Sequence, residues 1–192
     1  MGLMQLSGPG AEPLSLDEVK AYLRIDGAAE DALLQSLLLT SRLHIKVALG
    51  LALMTQSWKF VIDAWPDKHV VELPISPVQH VSDVRVIGQD GLAQSVASSD
   101  YDIDVSCRPA RLYTKRGCWP KPGRQSAGIE IDFTAGFGAT ADAVPEPIRQ
   151  ALLLLVAHWY EHRDPIEIGT PSTAVPAAVS RLLNPYRAVR LR

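Results

Sequence analysis

Residues 144–164 read VPEPIRQALLLLVAHWYEHRD, and what this stretch needs from its surroundings decides the rest of the chain. Pro145 and Pro147 fall where a first helical turn has no use for its N–H groups, and Pro165 closes the segment after Asp164, so one helix is framed. Between these marks nearly every position from Ile148 to Tyr160 is apolar, and at about 100° per residue no wide polar face survives. The one polar stripe, Gln150, His158 and Glu161, is interrupted by Leu154. The segment predicts a helix buried on more than one side. Its neighbours must come from its own fold, from symmetry mates, or from both.

Composition bounds what surrounds it. A chain of 192 residues with 47% hydrophobic and 21% charged residues is long enough to bury a sizeable core and too apolar for a disordered one. A net charge of -2 argues against a surface that coats nucleic acid. Cys107 and Cys118 have no C-x-x-C spacing and fit a reducing compartment. The start, MGLMQLSGPG, has neither a basic nor an apolar signal region, and the longest apolar run, Ala151 to Ala157, falls short of the roughly 18–20 residues a membrane span requires. Synthesis in the cytoplasm and no membrane partner are the expectation.

Working outward, residues 1–13 carry Gly8, Pro9, Gly10 and Pro13 and little to pack, which predicts a flexible leader. Ser15 and Glu18 form an S-x-x-E capping box at the head of a short helix ending near Gly27. A second helix starts around Ala29 and stops at Gly50. On it Leu39, Leu43 and Val47 widen the apolar face beyond one stripe, which again asks for contacts on two sides. After Met54 the period changes to alternation: Trp58, Phe60 and Ile62; Val84 and Val86; Tyr101, Ile103 and Val105; Ile129, Ile131 and Phe133. Turn residues punctuate these strands at Pro66-Asp67, Pro74 to Pro77, Gln89 to Gly91 and Trp119 to Gly123. The predicted class is α+β: a helical bundle with long central helices over 14–54 and 144–164, a small antiparallel β module inserted at 55–143, and a linker and C-terminal arm over 165–192 with a last short helix at Ala177 to Leu183.

Few residues suggest chemistry. His158, Glu161 and His162 spell H-x-x-E-H, in which two imidazoles at i and i+4 could share a zinc with Glu161 as general base. A third protein ligand is wanting, since only Glu167 follows, and basic groups at a helix end already suit its negative pole. The zinc-dependent hydrolase therefore stands as the alternative, and a binding module of unknown ligand as a third reading. Asp100, Asp102, Asp104, Glu130 and Asp132 alternate with buried positions and read as solvated strand faces. Gly136-Phe137-Gly138 is too short for a phosphate loop. No cofactor is expected. After Glu167 no acidic side chain remains, while Arg181, Arg187, Arg190 and Arg192 follow, interleaved with Leu182, Leu183, Tyr186, Val189 and Leu191. Two readings compete, a solvated, frayed terminus or an arm docking through apolar anchors and arginine pairs, and Arg with Tyr in a proline-bounded tail favours docking.

Five segments in order, LSLDEVKAYLRID at 14–26, EDALLQSLLLTSRLHIKVALGLALMTQSW at 30–58, IDFTAGFG at 131–138, VPEPIRQALLLLVAHWYEHRD at 144–164 and NPYR at 184–187, resemble the head-tail connector, or adaptor, proteins of tailed phages and gene transfer agents. The resemblance implies a structural protein of the virion or phage-like particle with no catalytic residues. It implies a homo-oligomeric ring, typically dodecameric, at the head-tail junction below the portal protein. A tail-side stopper or tail terminator protein would follow, and DNA would pass without sequence-specific binding. Portal docking falls on the C-terminal segment, at Leu183, Pro185, Tyr186, Arg187, Arg190 and Arg192. Leu39, Leu43, Leu154 and His158 are the candidates for the subunit interface.

Overall fold

The alternating stretches at 56–62 and 129–135 find each other. In the computed structural model, which describes residues 1–66, 69–162 and 175–187, Gln56–Ile62 (β2) pairs antiparallel with Ile129–Ala135 (β8) in seven consecutive partners from Gln56–Ala135 to Ile62–Ile129. Both strands alternate buried and half-buried along their whole length. Every second side chain, Trp58, Phe60, Ile62, Ile129, Ile131 and Phe133, therefore enters one core. Val78–Ile87 (β4) flanks β8 on its other side and adds Val84 to that core.

The sheet is completed by Gly2–Ser7 (β1) against β2 and by Ala93–Ser95 (β5) against β4, giving the order β1-β2-β8-β4-β5. A second antiparallel sheet joins Val70–Glu72 (β3), Arg111–Thr114 (β7) and Tyr101–Asp104 (β6), in the order β3-β7-β6. These strands belong to one unit of the chain, Met1–Gly10 with Gly50–Ala139. The other unit, Ala11–Leu49 with Thr140–Arg192, contains the α-helices of the described residues: Leu16–Leu23 (α1), Asp31–Leu49 (α2), Glu146–Glu161 (α3) and Ala177–Leu183 (α4). The class is α+β with antiparallel sheets, as the hairpin-like connections predict.

Among the described residues the antiparallel β part holds eight strands in two sheets. Two expectations about it need correction. The stretch expected as a flexible leader contains β1, which lies in register with β2 from Gly2–Val61 to Gln5–Trp58. Its six side chains are all exposed, so the strand is held by the backbone of β2 and leaves no alternating signature of its own. The acidic rows are not uniformly solvated. Lys59 Nζ donates to Glu130 Oε2 at 2.7 Å, and Arg85 donates to Glu130 at 3.0 Å, to Asp132 at 2.6 Å and to Asp83 at 3.0 Å. Asp104 closes a turn by accepting from the Ser106 N–H and hydroxyl and from the Cys107 thiol, led by the hydroxyl, and its carboxyl drops to about 2.

Local chemistry explains the remaining punctuation. Gly136 has φ +142°, and a Cβ there would sit 2.4 Å from the Met54 carbonyl oxygen, so the G-F-G run serves a close backbone approach. The Ser15 hydroxyl accepts from the Glu18 N–H at 3.1 Å while Glu18 accepts from the Ser15 N–H at 2.7 Å, which is the capping box read from the sequence. Helix α1 ends earlier than Gly27, at Arg24, which takes the left-handed conformation with φ 57°.

The Glu130 carboxyl is held below its ordinary 4.5, chiefly by the hydrogen bond from Lys59, with the Lys59 and Arg85 charges adding to it against the cost of burial. A carboxylate depressed in the folded state contributes its stability above the unfolded pKa and loses it as pH falls through the folded one. The chain is expected to lose thermal stability as pH falls from about 5 to about 3, and Lys59→Met to lose less over that window because Glu130 then starts nearer its ordinary value. Parallel Tm-against-pH curves for the two proteins would refute the assignment.

Candidate functional site

Polar side chains in the helical unit are spent on tying helices together. Lys20 of α1 pairs with Asp31 at the head of α2 at 2.8 Å. Arg42 of α2, itself buried, makes a two-pronged contact with Glu12 at 2.7 and 3.0 Å. Arg149 of α3 pairs with Glu18 of α1, and Tyr160 of α3 donates to Glu30 just before α2. His44 of α2 meets Trp159 of α3 edge-on, with ring centroids 5.7 Å apart. Lys46 is half-buried, and burial first, then the Arg42 charge, pulls its pKa down.

What remains for the outer face of α2 is uncharged. Its core side is Leu34, Leu38, Ser41, Arg42 and Ile45. Half a turn away, Leu39, Leu43 and Val47 follow one another at i, i+4 and i+8 and are 43%, 40% and 82% exposed. Ala32, Gln35, Ser36 and Thr40 fill in around them, all exposed. A solvent-facing helix face ordinarily carries charges, and this one carries none.

Helix α3 buries Ile148, Ala151, Leu152, Leu155 and Val156 and leaves Leu153, Leu154, Ala157 and His158 half-buried. The all-round burial predicted for this helix is thus incomplete within one chain. Leu154 and His158 line a cleft of about 450 Å³ together with Tyr22, Leu23, Glu161 and Pro176. The four residues expected at a subunit interface therefore lie on two surfaces, Leu39 and Leu43 on α2 and Leu154 and His158 in this cleft.

The C-terminal expectation is partly corrected. Leu183 is only 6% exposed and, with Val179, forms the buried face of α4, which packs on α3. A leucine so placed anchors the chain's own fold. Pro185 and Arg187 are exposed and Tyr186 is half-buried, on and just after the single 3-10 turn Asn184–Tyr186. Arg190 and Arg192 lie outside the described residues, as does Asp164.

The histidines of the H-x-x-E-H pattern come close, with ring centroids 4.6 Å apart. The helix ends at Glu161, and His162 Nδ1–H donates to the His158 carbonyl at 2.9 Å, so that ring serves as a cap. Among the described residues no group of three or more His, Cys, Asp or Glu side chains is placed to hold a metal ion. No helix among them is long and apolar enough to cross a membrane.

Residues 12–189 match the family described as head completion protein. The chain belongs to that family. Comparison with curated proteins gives no match. Among solved structures, this head completion protein is similar to a chain in the neck of an empty gene transfer agent (GTA) particle computed with C6 symmetry, at 30% identity and a TM-score of 0.84, covering 100% of this chain and 98% of the other. A chain from the virion of a native GTA particle matches at 30% identity and TM-score 0.83 with the same coverage. One from the neck of a native GTA particle computed with C12 symmetry matches at 28% and 0.81, again covering 100% and 98%.

What the sequence does not show is where the charges of α2 go. Asp31, Arg42 and Lys46 are the only charged residues in the helix, and the ionic partners of the first two are distant in sequence. For the head completion protein, treatment with a strong chelator is expected to leave Tm unchanged. A fall of several degrees that added zinc restores, and that His158→Ala abolishes, would establish a metal site instead.

Proposed function

We propose that this head completion protein is a structural adaptor of a tailed phage or phage-like particle. Copies form a ring below the portal, join the capsid to the tail and extend the DNA channel. The observation that carries the reading is the pair of surfaces left unfinished on the helical unit: the uncharged outer face of α2 and the half-open cleft beside Leu154 and His158. A subunit in a cyclic assembly has to bury two different flanks, one against each neighbour. The similar chains come from particle necks computed with C6 and C12 symmetry, which supports a ring, and twelve copies fit both symmetries.

On this reading Leu39, Leu43 and Val47 meet a neighbouring copy, and the segment from Pro185 onward, with Tyr186 and Arg187 and the further arginines Arg190 and Arg192, engages the portal. The tail-side partner is a stopper or terminator protein. The net charge of -2 suits a conduit, because a wall that does not neutralise phosphates releases few counterions and holds DNA weakly.

Light scattering of the protein, alone and mixed with portal rings from the same source, tests the proposal. One adaptor per portal subunit in a single large complex is the expected result, and no association at any salt concentration would overturn it. Leu43→Glu places a charge on the outer face of α2 and is expected to leave the subunit's Tm within a few degrees of the parent while abolishing ring formation. Tyr186→Ala with Arg187→Ala is expected to give a folded protein that no longer joins portal-bearing heads; normal joining would refute the docking role.

A further inference from the structure

The ring reading above, on which this inference rests, requires two unlike flanks, and the five-stranded sheet has two unlike edges. Its outer strands are β1 and β5. Exposed edges are commonly guarded by lysine, proline, bulges or a covering element, because their unpaired N–H and C=O groups template another strand. Strand β1 reads GLMQLS and β5 reads AQS, without a charge or a proline in either. The one irregularity in β1, between Gln5 and Ser7, leaves Gly2 to Gln5 in unbroken register. Leu3, Met4 and Leu6 are exposed there, and Leu92 is exposed beside β5.

We infer that β1 of one copy pairs with β5 of the next, so that the five-stranded sheets of neighbouring copies join edge to edge. Strand direction supports a cyclic joint. Each step from β1 through β2, β8 and β4 to β5 is antiparallel, so the two edge strands run the same way. Rotation from one copy to the next about a ring axis keeps them so, and the joint is a parallel pair. A β1–β1 pair would instead close a two-fold dimer and stop.

The faces of the sheet agree as well. Leu3 stands opposite Phe60, which is buried, so Leu3 is on the core-facing side of β1. Gln94 stands opposite Val86, likewise buried, and is on the same side of β5. A cleft of about 500 Å³ opens beside Gln94, lined by Val86, Val96, Trp119 and Pro120 among others. Leu3 arriving from the next copy faces that cleft, whose lining is mixed: Asp100, Arg116 and Lys121 share it with the apolar Val86, Val96, Trp119 and Pro120, which a leucine side chain can meet.

The test uses the full chain with Cys107→Ser and Cys118→Ser, carrying Leu3→Cys with Gln94→Cys, or Gln5→Cys with Gln94→Cys, so that both core-side registers are sampled. Each protein is assembled on portal rings and oxidised. The expected result is a ladder of covalent multimers reaching the closed ring for one of the two pairs, and monomer for every single-cysteine variant. A ring of full mass without a ladder from either pair overturns the strand joint and leaves the ring reading standing. No ring overturns both. A covalent dimer from Leu3→Cys or Gln5→Cys alone assigns a β1–β1 contact and overturns the joint. In a second measurement, Met4→Glu with Leu6→Lys is expected to preserve Tm, because β1 buries no side chain and a carboxylate at position 4 stands opposite Lys59, and to lower ring yield severalfold; an unchanged yield counts against the joint.

Discussion

The pairing of β2 with β8 is the constraint on which the rest of the β unit depends. It joins stretches roughly 70 positions apart in the chain, and the closure entropy of so long a loop must be offset by what the register brings together. One register does two things at once. It turns Trp58, Phe60, Ile131 and Phe133 into the core, and it sets Lys59 beside Glu130 and within reach of Arg85 on the opposite face. A slip of β2 by one residue would turn that strand over, burying Lys59 among Ile131 and Phe133 while setting Trp58 and Phe60 on the face of Glu130 and Asp132. The core and the ionic network are therefore alternate faces of one specification, and each excludes the registers that the other would tolerate.

The same physics separates what could be read along the chain from what could not. The capping box at Ser15 and Glu18 and the proline frame at 145–147 are local, so their geometry follows from residues a few positions apart. Strands β2 and β8 are buried on one face, and burial on one face writes itself as period two. Strand β1 has no such imprint. Its pairing is decided by the free edge of β2, and a strand whose side chains are all exposed is under no pressure to alternate. Arg24 in the left-handed region ends α1 where Gly27 is the residue a reader would choose, because Arg24 and Ile25 N–H groups already return to Ala21 and Lys20.

The candidate surfaces were half legible for a related reason. Excess apolar residues on α2 and α3 state that cover is needed but not what supplies it. That answer depends on which polar groups are consumed inside the unit, and those partners, Glu12 for Arg42 and Glu18 for Arg149, are 30 and 131 positions away. Leu183 shows the opposite failure. Set among arginines in a tail it reads as an anchor for a partner, yet a short helix packed on α3 takes it inward.

On the adaptor reading, the modest size of each exposed apolar feature has a consequence for the order of assembly. Leu39 and Leu43 are more than half covered within the single chain, and only Val47 stands well clear of it. Patches of this size do not force association by themselves, since stable interfaces require roughly 1,200 Å² or more of buried surface. A subunit with two such flanks gains little from one neighbour and much more from closure, when every flank is covered and no further ordering entropy is lost. A template that holds copies at the right spacing raises their effective concentration and removes most of the cost of the first contacts. Weak flanks with a separate docking segment thus favour rings built on a portal over rings built in solution, which is the order that joining a filled head to a tail requires.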